Sequence, residues 1–145
     1  SKKMRYLTMK AEGVDHIVFG LENWKRTEET FVVEGPIDSL FLPNALSVAS
    51  SELTAIERRL SEIDKNRTIL IFDNEPRNKE ILKQIHKAVE NNFRVFFWSD
   101  RISHKDINDL VVHDKLSESE LLSMIRDNSL RGMSAQLKLS QWRKA

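Results

Sequence analysis

The stretch "FVVEGPIDSLF", residues 31–41, joins an apolar run to two carboxylates through a glycine and a proline. Phe31, Val32 and Val33 have the β-branched or aromatic character of a buried strand. Gly35 and Pro36 end it, and Pro36 suits the first position of a helix, where the absent N–H leaves no bond unmade. Glu34 therefore lies at the C-terminal lip of a strand and Asp38 in the first turn of the following helix. Taken alone, Asp38 is equally well read as a charge complementing a helix dipole, and Glu34 as a solvated strand end.

The same grammar returns at residues 68–78. "TILIFDNEPRN" is again an apolar strand followed by acids, a proline and a helix, with Asp73 and Glu75 separated by one residue. A third acidic segment, "SHKDINDLV" (103–111), follows the strand "RVFFW" (94–98) and carries Asp106 and Asp109 around Asn108. "ALSVA" (45–49) reads as a further strand. Apolar positions at helical spacing predict helices over 50–64, 77–91, 106–113, 117–128 and 133–143, with a short one over 36–42. "YLTM" (6–9) reads as a short edge strand, and "HIVFGLENW" (16–24) is open between strand and helix.

Continuously apolar strands alternating with amphipathic helices predict an α/β fold. Its parallel sheet has about four strands, helices cover both faces, and C-terminal helices are added. The C-terminal strand ends of such a sheet share one edge, where ligands bind. Glu34, Asp38, Asp73, Glu75 and Asp106 then crowd into one corner. Carboxylates that close repel, and a hard divalent cation with oxygen ligands removes the repulsion.

The chain has 145 residues, the length of one domain, and a net charge of +1. Basic residues gather at its ends: Lys2, Lys3, Arg5 and Lys10 at the start, and Arg126, Arg131, Lys138, Arg143 and Lys144 near the close. Without cysteine there is no disulfide, thiolate zinc site or cysteine nucleophile, which suits a cytoplasmic setting. No run approaches the ~18 apolar residues of a membrane helix. His16, His86, His104 and His113 lack metal-ligand spacing, although His104 sits beside the third acidic segment. Trp24, Trp98 and Trp142 read as packing anchors before base-stacking platforms.

Together, "VVEGPIDSL", "LIFDNEPRN" and "KDINDLV" resemble the three acidic motifs of the Toprim domain of DnaG-type DNA primases, topoisomerases and some nucleases. The resemblance is closest to the primases of T-even-type bacteriophages. It runs through "EGPIDSLF", "DNEPR", "RVFFW", "KDINDL" and "GMSAQLKLSQW", from "RYLTM" almost to the end. It implies a single Toprim domain over 1–145 with a helical C-terminal extension, belonging to the C-terminal part of a longer primase.

The resemblance also implies roles. Glu34 is the general acid or base, catalytic with Asp73 and Glu75, which form the metal site, and Glu34, Asp38 and Asp106 are further acids around the ion. Asn108 accompanies Asp106 in the third acidic pair, while Arg77 and Lys105 are basic residues suited to nucleotide phosphates. Mg²⁺ or Mn²⁺ is the implied cofactor, with no zinc in this segment. Single-stranded DNA, ribonucleoside triphosphates, a replicative helicase and the zinc-binding and core parts of the primase are the implied partners, with no membrane, in the host cytoplasm. Two positions depart from the pattern: Glu75 replaces the usual second aspartate, and Asn78 stands where glycine is frequent. The competing functions are a Toprim nuclease and a non-catalytic module docking helicase or DNA. A topoisomerase fits least, since it needs a nucleophilic tyrosine and the chain has only Tyr6.

Overall fold

A computed structural model describes residues 18–144. The expected strand at 6–9, Tyr6, His16 and the N-terminal basic cluster lie outside the described residues.

Two strands form the centre of the sheet. β1 (Thr30–Val33) and β3 (Thr68–Ile71) are buried at all four positions and pair in parallel, Val33 beside Ile71. Continuous burial is what a strand covered on both faces requires. β2 (Ala45–Ser47) pairs with the free side of β1, and β4 (Arg94–Phe96) with the free side of β3, both in parallel. A fifth strand, β5 (Ser129–Leu130), adds to β4 in the antiparallel sense, giving the order β2-β1-β3-β4-β5. Four parallel strands thus match the expectation. β5 does not follow from the sequence, because two residues carry no alternation and it exists only by pairing with the edge of β4.

The helices are α1 (Pro36–Ser39), α2 (Ala55–Arg59), α3 (Lys79–Glu90), α4 (Ile107–Asp114), α5 (Glu118–Asp127) and α6 (Met133–Trp142). α3 buries Ile81, Leu82, Ile85, Ala88 and Val89 and packs on both β4 and α6. α5 opens with a capping box, in which the Ser117 hydroxyl accepts from the Glu120 N–H and Glu120 accepts from the Ser117 N–H. The helix expected over 50–64 shortens to α2, since Leu60 turns to extended backbone and the flanking residues form turns. The open reading of 16–24 resolves into both alternatives: Phe19 bridges Ser47 beside β2, and Leu21–Asn23 is one 3₁₀ turn.

The tryptophans are anchors. Trp98 is 1% exposed and its indole N–H donates to the Phe72 carbonyl at 2.8 Å, tying the exits of β3 and β4 together. Trp142 is buried edge-on against Phe97, with centroids 6.3 Å apart. Trp24 is half-buried and donates to the Thr30 hydroxyl at 3.0 Å.

Candidate metal centre

β2 lies on one side of β1 and β3 on the other, so the chain reverses its course across the sheet between β1 and β3. The crevice beyond their C-terminal ends is a topological switch point, the place where open α/β sheets bind ligands. Glu34 leaves β1 into this crevice, and Asp73 follows β3 after Phe72. The Glu34 carboxylate accepts the backbone N–H of Asp73 at 2.6 Å, so one acid is clamped across the switch point.

Asp38 comes from α1 and is 5% exposed. Its Oδ1 accepts the backbone N–H of Asn108 at 2.9 Å, joining α1 to the first turn of α4. Asp106 is the N-cap of α4, its Oδ1 accepting from the Asp109 N–H at 2.8 Å. Gly35 lets these parts approach. A Cβ there would stand 3.1 Å from Asp38 Oδ2, tighter than ordinary contact. Asp38, Asp73 and Asp106 each offer an oxygen, and the three ligand atoms lie within 4.8 Å of one another.

Burial and mutual repulsion act on these acids together. Loss of solvation raises Glu34 from 4.5 to about 8, against the Asp73 N–H and with help from the charges of Asp73, Glu75 and Asp38. Asp73 rises to about 7, again mainly by burial, with Asp38 and Asp106 adding repulsion and Lys105 opposing it. Asp38 rises to about 6 through burial, although the Asn108 N–H favours its charged form. Three oxygens on separate elements, hard in character and short of positive charge, fit a divalent cation such as Mg²⁺.

The structure distributes the sequence-predicted residues unevenly. Asp38, Asp73 and Asp106 converge, and Glu34 joins them through the Asp73 backbone. Glu75 is outside the group of three ligand atoms. Its side chain reaches Asn78 Nδ2 at 3.4 Å, and its charge is felt at both Glu34 and Asp73. Asn108 contributes its backbone N–H to Asp38. Lys105 is exposed beside the acids, and Arg77 is exposed with no side-chain partner among the described residues. Asn78 needs no left-handed backbone: at φ −80° it caps α3, accepting the Glu80 and Ile81 N–H groups. His104 is engaged by Asp114 at 3.1 Å and stacks on His113 with centroids 5.2 Å apart.

One important residue escapes a reading centred on acids. Asn74 donates from Nδ2 to the carbonyls of Ile102 and His104, each at 2.9 Å, and its own N–H donates to Lys105 at 2.6 Å. It thereby fixes the segment leading to Asp106 against the segment carrying Asp73. The available signal was its chemistry: between two carboxylates that can only accept, Asn74 alone can donate two side-chain hydrogen bonds.

No family model matches this chain. It is similar to the DNA primase of Enterobacteria phage T4, with 30% identity over 142 residues, or 97% of this chain and 40% of that protein. The chain spans about 40% of the length of the curated relative it matches. Among the described residues, no helix is long and apolar enough to cross a membrane.

Proposed function

We propose that this chain is the catalytic Toprim module of a DNA primase, a single domain over residues 1–145, making short RNA primers on single-stranded DNA during phage replication. The observation that carries the reading is the meeting of Asp38, Asp73 and Asp106 within 4.8 Å at the switch point of a chain similar to a phage primase over 97% of its length. Asp38, Asp73 and Asp106 hold a divalent ion, Mg²⁺ or Mn²⁺, with Glu75 as a longer carboxylate at the rim. Bound ions of this kind activate a hydroxyl and stabilise the charge on phosphate oxygens.

The chain's own residues supply the rest. Glu34, raised to about 8 and held by the Asp73 N–H, is suited to exchange a proton with a ribose 3′-hydroxyl near neutral pH. Arg77, Lys105 and Asn108 hold the ribonucleoside triphosphate's phosphates, and the charge of Lys105 also offsets repulsion at Asp73. The remaining parts of a primase, including a zinc-binding domain, and a replicative helicase act with this module in the host cytoplasm.

Three measurements test the reading. Calorimetry with Mg²⁺ on Asp73→Asn should lose most of the binding heat, and unchanged affinity would overturn the metal assignment. In the complete primase, Glu34→Gln should lower primer synthesis by about 10²–10⁴. A loss of less than twofold would remove Glu34 from the chemistry. Metal-dependent cleavage of DNA or RNA by this chain, lost in the same variant, would instead make it a nuclease.

A further inference from the structure

α3 and α6 enclose a groove that the acidic centre does not use. Its floor is Leu82 and Leu139, 8% and 7% exposed, and its walls carry Lys79, Lys83, His86 and Arg143 around a cavity of about 290 Å³. A second cavity of similar size continues from it past His86 and Arg143 to Gln136 and Ser140. Lys79, Lys83 and Arg143 have no ion-pair partner among the described residues. Several other surface cations are paired, among them Lys65 with Glu57 at 2.8 Å and Arg126 with Glu29 at 2.6 Å, whereas here three unpaired cations share one groove. The nearest acid in the groove is Glu90, at its far end, and it is engaged by His86 at 3.1 Å.

The groove is also placed relative to the acids. Lys79 is the first residue of α3, which begins just beyond the Asp73–Glu75 turn. The end of α6 is fastened to that turn, because the Lys144 N–H donates to the Pro76 carbonyl at 2.8 Å. The groove mouth therefore opens beside the acidic edge. From Lys79 to His86 the helix rises about 10 Å.

We propose that this groove carries a single strand of DNA past the acidic centre, with its phosphates on Lys79, Lys83 and Arg143 and a base against Leu82 and Leu139. The proposal rests on reading the acidic edge as a nucleotidyl-transfer site. Three unpaired cations above an apolar floor suit a polyanion with flat apolar bases. The choice of DNA over RNA follows from the proposed function, in which the strand led past the acidic edge is the DNA being copied. An acidic protein segment is less well matched, because the apolar floor is only two leucines.

The test uses the 145-residue chain and a fluorescent dT20 oligonucleotide, with anisotropy measured across a salt series in the presence of EDTA. K83E/R143E should bind at least about tenfold more weakly at low salt. Its slope of log affinity against log salt should be shallower by about 1.4, from roughly 0.7 per lost contact. K83Q/R143Q should give the same direction, so the result does not hang on charge reversal disturbing the fold. Wild-type affinity and slope in both variants would overturn the proposal and leave the groove to an acidic protein partner. Tighter binding of a matched RNA would overturn the choice of DNA. The two readings fail separately: the groove variants should keep full Mg²⁺ affinity, whereas Asp73→Asn should lose Mg²⁺ and keep dT20 binding in EDTA.

Discussion

Glu29 and Glu34 stand at opposite ends of β1, and their surroundings differ completely. Glu29, just before the strand, accepts from Arg126 Nε at 2.9 Å and Nη2 at 2.6 Å, a two-pronged pair that also raises the arginine's affinity for its proton. Glu34, just after the strand, has no cation. It accepts one backbone N–H and faces Asp73, Glu75 and Asp38. At the surface end of β1 the fold supplies Glu29 with a counter-charge. At the switch point it gathers like charges, with Lys105 acting against their repulsion at Asp73. That difference in treatment, more than the number of acids, marks the site.

The comparison breaks most decisively if the clustered acids do not bind a cation. A missing supporting contact typically costs ~10–100-fold in metal affinity. Replacing Asp106 by Asn removes a ligand oxygen itself, so calorimetry should find a loss at least that large. The same change at Glu29 should leave Mg²⁺ affinity where it was.

Asn74→Ala comes next. It removes both side-chain donors to Ile102 and His104, so the Asp106 segment should drift from Asp73. Mg²⁺ affinity should fall by ~10-fold or more, and denaturant unfolding should register about 1–3 kcal/mol from carbonyls left without a partner. A full stability loss with untouched Mg²⁺ affinity would assign Asn74 to the fold alone.

pH sharpens the contrast between the two ends of β1. The values for Glu34, Asp73 and Asp38 are all raised, so the folded protein holds protons that the unfolded chain releases. Their contribution to stability is complete below pH ~4, where the unfolded chain is also protonated, and is lost as pH climbs toward about 8. In EDTA the melting temperature should therefore rise from pH 8 to pH 6, and Glu34→Gln should flatten that rise. Saturating Mg²⁺ should oppose it, because the ion binds the deprotonated carboxylates and its stabilisation is greatest at the higher pH.

Two smaller effects complete the series. Gly35→Ala adds a Cβ 3.1 Å from Asp38 Oδ2, so it should weaken Mg²⁺ binding severalfold while the fold persists. At the other end of β1, Arg126→Ala should cost no more than about 1 kcal/mol, since an exposed pair gains little over its hydrated state. Thermal melts at two salt concentrations would detect it.

Much of this was legible in the chain. Phe31–Val33 and Ile69–Phe72 announced buried strands because both faces of a central strand need apolar cover. Pro36 marked a helix start by local geometry, and the repeated order of strand, acid, proline and helix put Glu34, Asp38 and Asp73 on one edge. These are short-range effects, decided within a few residues. Tertiary structure decided the rest. β5 exists only because β4 leaves an edge open, and on α6 the apolar Met133 and Leu137 are 83% and 62% exposed while Ala135, Leu139 and Trp142 pack. The choice of Asp106 over Glu75 as the third converging oxygen follows from the hydrogen bonds of Asn74 across the crevice and of Asn108 to Asp38. Those contacts join segments some 30 and 70 residues apart, and no local pattern encodes them. Residue chemistry and periodicity named the acids and the edge they share. Only the packing of loop on loop set which of their oxygens meet.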